Sequence, residues 1–360
     1  MKMNTQLTAD LQSDSSSLLC HKFPNEKSEH IFVGDWAQNF SIFQATNDKL
    51  SLLVSEELNF VCLDIFAHQT PSDNVYLAGS DSSVYSFNLE KQNCIPLFSQ
   101  KNLPNFKIFS PSNNKNLLFS LSLDGVLSVW DTRNPKNSID SYEKFDGKPY
   151  AASFEFPYLV VATNNNEISF FDIENYKKGF VPSSRDSFEA EHPVRCLAIE
   201  PQYCEYLALG TLGGEFKVWN SQDQKGISKV ASKIGPKSSY KEYPKMKPKN
   251  CKNDGKVVTY YPINDIKFHP STQGVLFIAG GDGQVIMYDG VERKFENVTY
   301  LNQPTTATAV THLDAFKSKD WLAICVGDDY VSSTSKKIES KLIVCDISKY
   351  LPESENEDDE

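Results

Sequence analysis

The sequence predicts an all-β chain closed into a seven-bladed β-propeller. Three observations predict it. A pattern of apolar strand, polar turn and second strand returns seven times along the 360 residues. The copies recur at roughly the 40–45 residue spacing of propeller blades. The chain is also rich in residues that suit pleated, half-buried strands, with 23 Phe and 16 Tyr.

The seven copies run in order. Ile31–Trp36 leads to Phe40–Phe43, and Tyr76–Asp81 leads to Val84–Asn88. Leu121–Gly125 leads to Val126–Asp131, and Leu159–Thr163 leads to Ile168–Asp172. Leu207–Thr211 leads to Phe216–Asn220, and Phe277–Gly283 leads to Val285–Asp289. The seventh, Leu322–Asp328, reaches Leu342–Asp346 after an insertion. Asp124-Gly125 and Asp282-Gly283 are dipeptides that a tight hairpin favours, because both residue types tolerate positive φ. One such hairpin could arise by chance; seven at near-regular spacing specify the WD-repeat architecture.

A further strand precedes each copy and commonly closes on proline, as in Phe106 to Pro111, Ala151 to Pro157, Val194 to Pro201 and Ile263 to Pro270. Proline fits there because a strand that is ending needs no further ladder N–H. Each blade therefore has material for four strands, except that little chain follows Ile347. A ring must hide its open edges. Asn4–Leu11 accordingly reads as a ring-closing strand or, alternatively, as a tail. The expected organisation is an N-terminal segment at 1–15, a propeller at 16–348 and an acidic, disordered tail at 349–360. Two stretches exceed the period: a Lys-rich loop at 221–258 and a hairpin insertion at 328–341.

Composition excludes several function classes. Net charge is −11, which argues against nucleic-acid binding over the whole surface. No run of eighteen apolar residues exists, so no membrane insertion is expected, and no secretory signal is visible in the first twenty residues. The eight cysteines form no C-x-x-C pair and lie mostly in apolar runs, which reads as buried reduced thiols. No nucleophile elbow, metalloprotease helix motif, phosphate-binding loop or dinucleotide fingerprint occurs. The six histidines are scattered, and Asp124, Asp282 and Asp328 fall in turns that use carboxylates locally. The expectation is therefore no catalytic residue, no metal and no cofactor: a docking platform rather than an enzyme.

Lys225–Lys256 holds ten lysines, with Tyr240 and Tyr243 between them. Lysines interleaved with aromatics suit an acidic peptide or single-stranded RNA. The other reading is a solvated loop kept soluble by charge.

Several stretches, in order, resemble one WD-repeat family: the nuclear-pore messenger RNA export factors and their relative, the spindle-checkpoint propeller. They are Val33–Asn39, Val129–Arg133, Val160–Thr163, Arg195–Ile199 and Tyr261–Pro270. The export branch is the nearer, through Val160–Thr163 and Phe268-His269-Pro270. The resemblance implies docking on a short glutamate-rich segment of a nucleoporin, at the nuclear pore of the nucleus and also in the cytoplasm. It implies a monomer within a larger complex; a checkpoint or other scaffold is the alternative. The candidate partner-binding residues are Arg195, Lys241, Lys245, Lys247, Lys249 and Lys252, which offer an acidic chain a local positive surface, and Glu215, which stands where the family places an arginine. The chain departs from the family at two points. The family's Glu-Gly-Arg hairpin reads Gly213, Gly214 and Glu215, and its Lys-Cys-His-Arg reads Asn250, Cys251, Lys252 and Asn253.

Overall fold

The computed structural model describes residues 6–22, 28–68, 74–99, 103–178, 180–188, 190–220, 261–291, 294–298, 309–328 and 339–352. These form seven antiparallel sheets and, beyond two short 3-10 turns, no helix. The protein is a seven-bladed β-propeller. Blade 1 is Ser15–His21, Glu29–Asp35, Asn39–Ala45 and Leu50–Glu57. Blade 2 is Cys62–Ala67, Asn74–Gly79, Ser83–Asn88 and Asn93–Ser99; blade 3 is Asn105–Phe109, Leu117–Ser122, Leu127–Asp131 and Asp140–Tyr142. Blade 4 is Pro149–Glu155, Tyr158–Thr163, Glu167–Asp172 and Ser184–Ser187. Blade 5 is described over three strands, Val194–Ile199, Tyr206–Thr211 and Phe216–Asn220. Blade 6 is Ile263–Phe268, Val275–Gly280, Val285–Asp289 and Lys294–Val298.

Blade 7 combines Ala309–Ala315, Trp321–Gly327 and Lys341–Asp346 with Gln6–Asp10 as its outer strand. Gln6 lies opposite Cys345 and Asp10 opposite Lys341. Leu7, Ala9 and Leu11 pack onto the cluster of Leu342, Val344, Cys325 and Ile31, so this strand carries apolar contact as well as a ladder. The buried Asp14 then accepts the Asp328 N–H at 3.1 Å and the Ser340 hydroxyl, tying the start of blade 1 to blade 7.

One hairpin turn recurs between the second and third strands of six blades. The third residue after the second strand's last carbonyl donates back to that carbonyl and has positive φ. These residues are Gln38, Ser82, Gly125, Asn166, Gly214 and Gly283. Half of them are not glycine, so the paired strands hold the left-handed conformation even where the side chain resists it.

The core lies between blades. Phe32, Phe40 and Phe87 join blades 1 and 2, and Trp130 of blade 3 stacks on Phe98 of blade 2 with centroids 3.8 Å apart. Alternation places one face of each sheet against each neighbour, which is why the middle strands are buried along their whole length. Burial also raises the thiols of Cys62, Cys204 and Cys325 to about 12, so these cysteines are inert.

The first strand of every blade lines the axis. Polar side chains there take up the N–H of the next blade's first strand. Asp64 accepts from Ile108 at 2.8 Å, Asp265 from Leu313 at 3.0 Å and Asp314 from Cys20 at 2.6 Å. Ser153 does the same for Ile199 at 3.1 Å. Lys107 pairs with Asp64 at 2.8 Å, and Lys267 faces Asp314 at 4.0 Å. Burial alone would lower the Lys267 ammonium, but Asp314, Asp265 and Asp64 hold it above the usual lysine range. The first strand of blade 1 begins at Ser15, ahead of its first apolar residue, Leu18. Its serines are used between blades, as described next.

Candidate functional site

All seven axial strands carry a β-bulge at the same place, just after they begin. The extra residue is Ser16, Leu63, Phe106, Tyr150, Arg195, Asn264 or Thr311, in blade order 1 to 7. A bulge leaves one residue out of the ladder and re-aims its side chain. Beside the bulges, a hairpin residue donates its N–H to the carbonyl just before the axial strand. These donors include Trp36, Ser80, Leu123, Asn164, Leu212 and Gly281. Bulges and hairpin tips therefore share one end of the ring.

The ring of bulged residues divides into two arcs. In blades 6, 7 and 1 the side chains are polar and engage the next blade. Asn264 Nδ2 donates to the Val310 carbonyl at 2.8 Å, the Thr311 hydroxyl bonds that of Ser15 at 2.7 Å, and the Ser16 hydroxyl donates to the Cys62 carbonyl at 2.6 Å. In blades 2 to 5 the bulged residues are Leu63, Phe106, Tyr150 and Arg195. None of these four is buried, and Tyr150 is 46% exposed. The adjacent tips add Leu123 and Leu212, at 37% and 40% exposure, and Trp36 of blade 1 at 50%. One arc thus holds the ring together, and the other presents aromatic and apolar side chains to solvent around a single exposed arginine.

Two of the expected partner-binding residues lie at this end of blade 5. Arg195 is the bulge of blade 5, and Glu215 follows that blade's hairpin tip. The Glu215 N–H is fixed by the Thr211 hydroxyl at 3.0 Å. Lys241, Lys245, Lys247, Lys249 and Lys252 lie outside the described residues, as do most of the 221–258 loop and the 328–341 insertion. The bulge ring was not legible in the sequence, since one unpaired residue in a short strand leaves no periodic mark. Asn39, which fits a glycosylation pattern, is buried and bonded through its amide to Asp35.

Comparison with known proteins agrees with this architecture. The family model described as the RSE1/DDB1/CPSF1 second beta-propeller matches residues 138–320, just over half of the chain. The chain belongs to this β-propeller family. It is similar to the mRNA export factor rae-1 of Caenorhabditis elegans, 27% identical over 188 residues, which cover 49% of this chain and 44% of that protein. It is also similar to Protein Rae1 of Drosophila melanogaster, 26% identical over 198 residues, or 52% and 50% of the two chains. The spindle assembly checkpoint protein bub3 of Schizosaccharomyces pombe is 24% identical over 271 residues, 75% of this propeller and 77% of that protein. The chain spans about half the length of the two Rae1 relatives. These matches support the WD-repeat resemblance read from the sequence, and the export branch is the better represented.

Proposed function

We propose that this propeller is a non-enzymatic docking platform that receives a short acidic segment of a nucleoporin and serves messenger RNA export at the nuclear pore. The observation that carries the reading is the division of the bulge ring. A surface that only closed the propeller would have no use for half-buried Leu63 and Phe106 and exposed Tyr150 and Arg195 where Ser16, Asn264 and Thr311 suffice. Aromatic and apolar groups around an arginine suit a segment in which glutamates alternate with apolar anchors. The acidic total makes such a local positive group necessary, because long-range attraction of an acidic partner is unfavourable. Nuclear, pore-rim and cytoplasmic presence follow from the same reading, as does a monomer held in a larger complex. The lysines of 221–258 would add attraction for the acidic segment or for RNA.

Calorimetric titration with a synthetic glutamate-rich nucleoporin peptide tests the reading. Arg195→Glu and Tyr150→Ala should each weaken binding by at least tenfold, about 1.4 kcal/mol. Unchanged affinity in both would place the ligand elsewhere, and no binding by the wild type would remove the nucleoporin. A checkpoint role is the second reading, favoured by the bub3 relative aligned over three quarters of both chains. Imaging a tagged protein separates them: nuclear-rim signal through interphase supports export, and kinetochore signal confined to mitosis supports the checkpoint role.

A further inference from the structure

Glu191, His192 and Glu215 meet at the same end of blade 5, with their ligand atoms all within 4.8 Å of one another. We propose that they form a three-ligand site for a divalent transition-metal ion of the Zn2+ class, with its remaining position open to solvent. The sequence gives no spacing signal for it, because His192 and Glu215 come from opposite sides of a hairpin.

The backbone explains the meeting. Pro193, next to His192, accepts the Leu212 N–H at 3.0 Å, which brings the 191–193 segment against the hairpin tip. The tip is itself closed by Gly214 N–H to Thr211 and by Thr211 N–H to Glu215, so Glu215 leaves a fixed turn. Gly213 supplies the seat. A Cβ built there would lie 2.1 Å from His192 Nδ1, so the imidazole occupies the space a side chain would take. The ring is placed by that missing side chain.

The donor set selects the ion. An imidazole with two carboxylates suits Zn2+ and its neighbours, whereas Ca2+ and Mg2+ favour all-oxygen sites. Bonds of about 2.0–2.2 Å to four tetrahedral ligands put donor atoms about 3.3 Å apart. Glu191 and His192 are exposed and Glu215 half-buried, so side-chain rotation can close the distance without moving the strands. The ion would neutralise two carboxylates on the same end of blade 5 as Arg195, where the exposed arc ends. The inference does not depend on which partner docks there.

The test uses the full chain, stripped with a chelator and titrated with Zn2+ by calorimetry and with Co2+ by visible absorption. One ion per chain is expected, with the ligand-field bands of a low-symmetry Co2+ site and no thiolate charge-transfer band. Glu215→Gln and His192→Ala should each weaken Zn2+ binding by at least about tenfold. Gly213→Ala keeps all three ligands but fills the imidazole's seat, and should weaken binding as well. Absence of binding by the wild type overturns the proposal. So does a thiolate spectrum, or affinity unchanged in both His192→Ala and Glu215→Gln while the variants keep the wild-type melting transition.

Discussion

Replacing Trp130 by alanine tests the blade packing most directly. The indole is 6% exposed, stacks on Phe98 with ring planes 10° apart, and donates from Nε1 to the Ser120 hydroxyl at 3.0 Å. Removing a buried Trp costs about 3–5 kcal/mol through lost transfer energy and the cavity left behind. Within that sum the aromatic stack accounts for about 0.5–1.5 kcal/mol and the hydrogen bond for about 1 kcal/mol. At this chain length about 2 °C is lost per kcal/mol, so the melting midpoint should fall by roughly 6–10 °C. Trp36→Ala is the matched control: its side chain is half exposed, and its loss should stay within about 0.5 kcal/mol. A finer contrast uses phenylalanine. Trp219 is equally buried, but its Nε1 has no hydrogen-bond partner among the described residues. Trp130→Phe should therefore cost about 1 kcal/mol more than Trp219→Phe. Equal midpoints for Trp130→Ala and Trp36→Ala in thermal and urea unfolding would refute the assigned packing.

Deleting residues 1–12 removes the outer strand of blade 7 and uncovers the edge of Lys341–Asp346; light scattering should report aggregation and the melting midpoint should fall, and a monomer of unchanged stability would refute this. His21 is held near pKa 4 by burial and nearby Lys317, against 6.5 for the free side chain, and burial puts His312 near 4 as well. Above pH 6.5 neither folded nor unfolded chain holds these protons; between 6.5 and 4 the unfolded chain takes them first, so stability falls with pH, by about 3 kcal/mol for His21 alone. Urea midpoints that stay flat over that range would contradict it. Asp64→Ala strips the acceptor from both Lys107 and the Ile108 N–H and should cost about 2–4 kcal/mol, measured by urea unfolding. Glu215→Arg, titrated in chelator with the glutamate-rich peptide, should tighten binding several-fold, on the order of 1 kcal/mol at an exposed site, and no change would remove Glu215 from the docking surface.

The propeller was legible because its evidence is repeated. Each blade offers its own apolar run and turn, so errors at one blade do not spoil the count. Asp124-Gly125 and Asp282-Gly283 marked two hairpins outright, and Gly125 and Gly283 do adopt positive φ. Gln38 and Ser82 fill the same turn position without any local signal, because the strand pairs around them impose the conformation. The candidate site was far less legible. Arg195 and Glu215 could be named from resemblance, but the company of Leu63, Phe106 and Tyr150, none of them buried, depends on bulges. Glu191 and His192 reach Glu215 through the pairing of Val194 with Thr211 and the adjoining Leu212–Pro193 hydrogen bond, contacts between segments about twenty residues apart. Pairing of that kind has no sequence spacing of its own. Ser15–Ser17 carry no apolar residue to mark a strand, yet they open an axial strand whose hydroxyls reach both neighbouring blades.

The shared seventh blade has a consequence for how the chain comes into being. Gln6–Asp10 leaves the ribosome roughly 330 residues before its partner Lys341–Asp346 exists. Throughout that interval Leu7, Ala9 and Leu11 lack the surface they later cover. Blades 1 to 6 can form in order of synthesis, each against the one before, but blade 7 cannot. The nascent protein is an open arc with an uncovered apolar sheet face at each end, a state prone to associate with another copy. Completion is then a single late event, joining strands made roughly 330 residues apart. A chaperone that shields the early strand, or a pause as Lys341–Asp346 is made, would act on that one step.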